Sequence, residues 1–283
     1  PPPFKELATK ITDRSKPEEV RDALIYYSTF SKARELLKPE DKKAIAASLE
    51  KIIIDSKESP KLRARAAIGL SQIDRSDRAV EIVAPLLNVK EEKEILVWRA
   101  AHALKFMKNE KAIPYLREKL EELLISPDAL PKLTRSCAVA LGSYKDISSI
   151  NIMDEILEKT KREDVAGSVI YSLGKIGNPE SLEIVINYWN NLKRYFKARN
   201  ERASLDLTCY GALSSNEDTI IELIQENSSF SPSGVIALRK LIKFGNGYLK
   251  DNGRGAEVLG NRYLEIEDME EKGIILDALA SLK

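Results

Sequence analysis

The sequence predicts an all-α protein, a right-handed α-α superhelix of about seven stacked helix pairs. Three observations predict it. Apolar residues recur at spacings of three and four, which is the period of an amphipathic helix. Runs of strictly alternating apolar residues, which would indicate strands, are missing from the sequence. A similar segment also returns about every 35 residues, which is typical of repeat proteins built from helix pairs.

The recurring segment ends at a leucine in all seven copies, and a small residue precedes that leucine in six of them. The residues four before and three after the leucine lie on the same helix face. We therefore expect the leucines to be buried and the small residues to let a neighbouring helix approach closely. The seven leucines are Leu70, Leu104, Leu141, Leu173, Leu213, Leu241 and Leu279.

A second amphipathic helix precedes each recurring segment, so the repeat unit is a helix pair that cannot bury its apolar faces alone. These partner helices are predicted at residues 39–56, 76–88, 109–124, 146–160, 178–196, 216–227 and 253–266. Residues 15–32 are predicted to form an N-terminal capping helix. The expected domains are an N-terminal tail and capping helix at 1–38 and a repeat solenoid at 39–283.

The segments LRARAAIGLSQI, VWRAAHALKFM and SVIYSLGKIGNPESLEIV resemble HEAT repeats, especially the short kind first described in phycobilin lyases. The resemblance covers residues 39–283. It implies that the second helices of the pairs line the concave surface of the solenoid. Tetratricopeptide repeats keep a stricter period and place Trp, Leu-Gly and Tyr in their first helix. That pattern is not seen in this sequence.

The composition argues against most enzyme classes. With 45 basic and 44 acidic residues the net charge is +1, so no bulk field points to nucleic acid or membrane. Two cysteines and one histidine do not suffice for a disulfide framework, a structural zinc site or a conventional triad. HEAT-like metal hydroxylases carry paired His-Glu motifs, which this sequence lacks. We predict no catalytic residue, no metal and no cofactor.

The two cysteines, Cys137 and Cys209, occupy the position four before the leucine, where the other copies have Ala, Val or Ile. A cysteine at such a position packs as a small hydrophobe. We therefore expect both to lie in the core.

A basic stripe is predicted on the second helices, at positions five before, two before and two after each leucine. Among those residues Asp277 is the single acid, and Ile68, Val139, Ile236 and Phe106 add apolar area. Such a lining suits a protein or peptide partner of acidic character better than duplex DNA, where phosphate contacts dominate. The predicted binding residues of the stripe are Arg65, Arg99, His102, Lys175, Arg239 and Lys243.

A second candidate site is the segment 193–202, whose net charge is +4 and in which Tyr195 and Phe196 interleave with the cations. It is predicted at the end of a first helix and in the following loop. A compensating acidic segment at 263–272 carries a net charge of −4. The basic residues of this second site are Lys193, Arg194, Lys197, Arg199 and Arg202.

The sequence thus predicts a non-catalytic scaffold for protein-protein interactions, with a nucleic-acid-binding or base-excising protein as the alternative. Trp98 and Trp189 resemble the aromatic residues of HEAT-like alkylpurine DNA glycosylases, although packing explains both tryptophans equally well. Chromophore handling of the bilin-lyase kind is a third option. Apolar runs are too short to span a membrane, which favours a soluble, cytoplasmic chain. The start at Pro1 leaves an upstream signal peptide or lipid anchor open.

Overall fold

The computed structural model describes residues 4–30, 32–89, 94–216, 218–221, 261, 272–273 and 275–276. Within these ranges the chain forms α-helices and short 3-10 helices and contains no strand, so the predicted all-α class is confirmed. The α-helices are α1 (Phe4–Thr12), α2 (Glu18–Phe30), α3 (Pro39–Ile54), α4 (Pro60–Ile73), α5 (Asp77–Val83), α6 (Glu94–Met107), α7 (Ile113–Leu123), α8 (Pro131–Tyr144), α9 (Ile150–Lys159), α10 (Glu163–Ile176), α11 (Pro179–Asn190), α12 (Leu192–Tyr195) and α13 (Arg199–Ser214).

The helices are distributed over two compact units. Unit 1 comprises Pro1–Ile125 and Ala129–Tyr144, and unit 2 comprises Ser126–Asp128 and Lys145–Lys283. In unit 1, α2 packs against α4, α4 against α6, and α6 against α8, so the second helices of successive pairs form one layer. In unit 2, α10 packs against α13 in the same way, and α11 contacts both α9 and α13.

Capping residues determine where several helices begin and end. Ser59, Ser76 and Asn178 each accept a hydrogen bond from a backbone N–H in the first turn of α4, α5 and α11. Helix α10 ends at Gly177, whose φ of 69° lies in the left-handed region that glycine adopts without steric cost. These polar and glycine positions separate the apolar segments, which is why the helix pairs are visible in the sequence.

The core contains the leucines that define the repeat. Leu70, Leu104, Leu141, Leu173 and Leu213 are all fully buried, which confirms the prediction for these five. Leu241 and Leu279 lie outside the described residues.

Both cysteines are buried and free, as predicted. Burial raises the pKa of the Cys137 thiol to about 12. That cysteine is therefore protonated at neutral pH and packs as an apolar side chain.

Small residues mark the places where second helices approach closely. A Cβ atom at Gly69 would lie 3.0 Å from Cγ2 of Ile25, and one at Gly174 would lie 2.6 Å from Cβ of Ala212. Gly69 and Ala212 are the residues that precede the leucines of α4 and α13. The predicted role of these small residues is confirmed at both helix contacts.

Hydrogen bonds between neighbouring second helices close each of these contacts at the C-terminal end. The Tyr144 hydroxyl, at the end of α8, donates to the carbonyl oxygen of Leu104 in α6 at 2.6 Å. Asn216, which follows α13, donates Nδ2 to the carbonyl oxygen of Gly174 in α10 at 2.8 Å. Both donors stand three residues after their leucine, so the same sequence position serves the same purpose in each unit.

The predicted partner helices at 39–56, 76–88, 109–124, 146–160 and 178–196 are present, with shorter α-helical parts than expected. Pro85 ends α5 early, since it lacks an N–H, and the chain continues as a 3-10 helix over Ala84–Asn88. The partner helix at 178–196 is divided at Asn191 into α11 and α12. Residues 222–227 of the next predicted helix lie outside the described ranges, as does 253–266 apart from residue 261.

The N-terminal region contains one helix more than predicted. The expected capping helix at 15–32 is α2, and α1 precedes it over Phe4–Thr12. Helix α1 packs against α3, while α2 packs against α4. The boundary between residues 38 and 39 stays a prediction. None of the described helices is both long and apolar enough to cross a membrane.

Candidate binding surface

Arg65 is the first member of the predicted basic stripe, and its charge is compensated within unit 1. Its Nε donates to Oδ1 of Asp22 on α2 at 2.8 Å, and its guanidinium carbon lies 5.9 Å from the ring centroid of Tyr26. The expectation that Arg65 contributes an uncompensated charge is therefore wrong. Asp22 was overlooked because α2 lacks the leucine that defines the repeat positions.

Arg99 on α6 is a cation of a different kind. Its guanidinium carbon lies 4.7 Å from the ring centroid of Trp98, and its Nε is buried without a hydrogen-bond partner among the described residues. Burial lowers the pKa of Arg99, the nearby charge of Arg65 lowers it further, and Asp22 raises it. No described carboxylate forms an ion pair with this guanidinium. A partly buried charge in such a position gains free energy when an anion reaches it.

His102 lies between two other rings on the same helix. Trp98, His102 and Phe106 follow one another at intervals of four residues, with ring centroids 6.5 Å and 4.6 Å apart. His102 is half-buried, which confirms its expected partial exposure. Burial lowers the pKa of His102, and the charges of Lys105 and Arg99 lower it further. Its imidazole is therefore neutral at pH 7.

These side chains form one surface, which we call the α6 strip and define as Trp98, Arg99, His102 and Phe106. The strip combines three aromatic rings with one cation that has no described counterion. Sequence reasoning selected Arg99 and His102 from the charge pattern and noted Phe106 as apolar, but it treated Trp98 separately. The four-residue spacing of the three rings was the available signal that they belong together.

Ile68, which was assigned to the same stripe, is 4% exposed and belongs to the core of unit 1. The helix turns slightly with respect to the predicted positions, because α4 is covered on two sides by α2 and α6. The stripe is consequently narrower than the sequence indicated.

The remaining stripe residues lie in unit 2 or beyond the described ranges. Lys175 on α10 is exposed, and its Nζ lies 5.5 Å from the ring centroid of Tyr171. Arg239 and Lys243 lie outside the described residues.

The basic segment 193–202 occupies α12, a short loop and the first turn of α13, as predicted. Four of its cations are exposed, namely Lys193, Arg194, Lys197 and Arg199. Arg194 approaches Glu158 to 4.0 Å. Arg202 differs from the others, because it donates to the carbonyl oxygen of Phe196 at 3.1 Å and to that of Lys197. Arg202 therefore holds the loop rather than offering its charge to a partner.

Trp189 is 3% exposed, and its Nε1 donates to Oδ1 of Asp206 at 2.8 Å. This confirms that Trp189 packs in unit 2. In the described ranges no three His, Cys, Asp or Glu side chains come together as a metal site would require.

The arrangement of paired helices agrees with a sequence family. Residues 46–122 match the family of HEAT repeats. These HEAT repeats include Arg65 and the whole α6 strip, and the match confirms the resemblance noted in the sequence. No curated protein is significantly similar to the chain.

Two solved structures resemble the whole chain. The complex of CpcE and CpcF of phycocyanin lyase from Nostoc sp. PCC7120 is 15% identical, with a TM-score of 0.53, over 100% of this chain and 96% of that chain. Human deoxyhypusine hydroxylase in complex with glycerol is 12% identical, with a TM-score of 0.39, over 99% of this chain and 95% of that chain. The likeness to the lyase subunits shows a shared fold of helical repeats, and at this identity it shows the fold alone.

Proposed function

We propose that this chain is a non-catalytic interaction scaffold whose α6 strip binds an acidic segment of a protein or peptide. The observation that carries the proposal is Arg99, a half-buried guanidinium with a buried Nε that no described residue accepts from. The strip lies within HEAT repeats, a repeat type that commonly serves protein interaction.

The chemistry of the strip favours a carboxylate next to an apolar side chain. A carboxylate forms charge-assisted hydrogen bonds with a guanidinium, and these are stronger than bonds between neutral groups. Aromatic and arginine side chains are also the residues that contribute most of the binding energy at protein interfaces. Phe106 is 36% exposed and offers ring area beside the cation.

The alternative, binding of single-stranded nucleic acid, would use aromatic rings as stacking platforms next to cations. The strip contains both, which keeps this alternative worth testing. However, His102 and Phe106 lie only 4.6 Å apart and cover each other's facing sides. The carboxylate of Asp22 beside Arg65 would also repel phosphate. These contacts favour a peptide.

The test selects peptides from a random displayed library on the purified full chain and measures the affinity of the enriched peptides by fluorescence anisotropy. We expect enriched sequences to contain Asp or Glu beside an aromatic or aliphatic residue. Arg99→Met should weaken binding at least tenfold. Arg75→Met is the matched control, because Arg75 is exposed in the same unit and its loss changes the net charge equally.

Enriched peptides without acidic residues, or full affinity in Arg99→Met, would contradict the proposal. A labelled oligothymidylate serves as the second probe. If it binds more tightly than any peptide, and with a steep dependence on salt, the nucleic-acid alternative replaces the peptide.

The basic segment 193–202 is tested separately in a variant that converts Lys193, Lys197 and Arg199 to Glu. Arg202 is left unchanged because it holds the loop. Loss of peptide binding in this variant, with full binding in Arg99→Met, would move the recognition site from the α6 strip to the basic segment.

A further inference from the structure

Unit 2 contains a pocket of about 550 Å³ between α10 and α13. This volume lies within the range of about 300–1,000 Å³ that small-molecule sites have. The pocket is independent of the α6 strip, which belongs to unit 1, so the inference does not rest on the proposed function.

Two lysines line this pocket, Lys145 and Lys175. Among the described residues neither forms an ion pair, and no carboxylate lines the pocket. Lys175 contacts only the face of Tyr171, with its Nζ 5.5 Å from the ring centroid. Two positive charges that face the same space raise each other's free energy, and a bound anion removes that penalty.

The backbone at Lys145 indicates that its side chain has a purpose there. Lys145 has a φ of 55°, in the left-handed region that side chains disfavour. At the end of α10 the chain has Gly177, with a φ of 69°, in the corresponding position. A glycine would adopt the conformation at lower free energy in both places, but only a lysine brings an ammonium group to the pocket.

The other lining residues supply acceptors and apolar area. Thr208 donates its hydroxyl hydrogen to the carbonyl oxygen of Ser204 at 3.0 Å, and Ser215 donates to that of Gly211 at 2.8 Å. The two hydroxyls therefore leave the donation of charge-balancing hydrogen bonds to the lysines. Tyr171 and Leu207 are 46% and 65% exposed and present apolar surface.

We propose that this pocket binds a phosphate monoester carried on an aromatic or aliphatic body. A phosphate monoester has a charge near −2 at neutral pH, which matches two ammonium groups, and lysine is an established phosphate ligand. A monoanion would leave one of the two charges uncompensated. The body of the ligand covers Tyr171 and Leu207. The ester is either a free small molecule or a phosphorylated side chain of a protein.

The test uses isothermal titration calorimetry on the full chain with phenyl phosphate, inorganic phosphate and benzoate. Phenyl phosphate is expected to bind more tightly than either of the other two, because it alone supplies both the dianion and the ring. Lys175→Met should weaken phenyl phosphate binding at least tenfold. Lys161→Met is the matched control, since Lys161 is exposed in the same unit but does not line the pocket.

A second variant keeps the inference testable if lysine removal disturbs the surface. A Cβ atom at Gly211 would meet nothing within 4 Å, so Gly211→Leu is compatible with the helix and fills the pocket. This variant should lose phenyl phosphate binding at least tenfold while its circular dichroism and melting temperature are maintained. The absence of saturable phenyl phosphate binding, equal or tighter binding of benzoate, or full binding in Gly211→Leu would each overturn the inference.

A short phosphotyrosine peptide distinguishes the two sources of the ester. If the peptide binds at least tenfold more tightly than phenyl phosphate, and Lys175→Met abolishes the gain, the ligand is a phosphorylated side chain. Affinity equal to or below that of phenyl phosphate assigns the pocket to a free small molecule.

Discussion

Arg21 and Arg63 form the same hydrogen bond in consecutive helix pairs. Each donates Nε to the carbonyl oxygen of the residue ten positions earlier, Ile11 or Ile53, at 2.8 Å in both cases. Both arginines are nearly fully buried and hold the end of the first helix against the second. The α1–α2 pair therefore repeats the local geometry of the α3–α4 pair.

Replacing either arginine should destabilise unit 1. Arg63→Met leaves the Ile53 carbonyl without its donor, for which we expect a loss of about 1–3 kcal/mol in the free energy of unfolding. Arg21→Met should cost more, because Arg21 also forms two hydrogen bonds of 2.9 Å to Glu58. Urea denaturation measures both variants. If they unfold like the exposed control Arg75→Met, the shared hydrogen bond does not contribute to stability.

Truncation of a repeat leucine should be costly. Leu104→Ala and Leu141→Ala each remove a fully buried side chain, for which we expect a loss of about 2–5 kcal/mol. Leu207→Ala is the control, because Leu207 is 65% exposed and its loss should change stability by less than about 0.5 kcal/mol. Equally small effects at all three positions in thermal or urea unfolding would contradict the repeat alignment.

Two glycines on neighbouring helices should respond to alanine in opposite directions. Gly174→Ala places a Cβ atom 2.6 Å from that of Ala212 and forces α10 and α13 apart, at a cost of about 1–3 kcal/mol. Gly211→Ala meets nothing within 4 Å and removes backbone freedom from the unfolded chain. It should leave stability unchanged or raise it by up to about 1 kcal/mol. A stabilised Gly174→Ala would show that the helices are farther apart than described.

His102 should titrate below its ordinary pKa of 6.5, because burial and the charges of Lys105 and Arg99 disfavour the imidazolium. Below pH 6.5 the unfolded chain then binds a proton that the folded chain does not, so stability falls as the pH decreases from 6.5 to the folded pKa. It is the only histidine, so one imidazole NMR signal reports the pKa without assignment. Lys105→Met should raise this pKa. A value at or above 6.5 in the wild type would contradict the described surroundings of the ring.

The sequence predicted the helix pairs well because the leucine and small residue of each repeat recur at the same positions. It missed α1 because α2 carries Ser28 where α4 has Leu70, and Ser28 is nevertheless buried. The candidate site was only half predictable. Charge spacing identified Arg99, whereas the compensation of Arg65 by Asp22 depends on how α2 packs against α4. The pocket in unit 2 likewise joins residues from helices that only the fold brings together.

The bonds from Tyr144 to Leu104 and from Asn216 to Gly174 each connect residues about one repeat apart, 40 and 42 positions along the chain. The entropic cost of closing such a loop depends on its own length and does not grow as further repeats are added. Folding within a unit can therefore start at any helix pair and extend to its neighbours. For this reason we expect the folding rate to depend on the stability of the best single pair rather than on chain length.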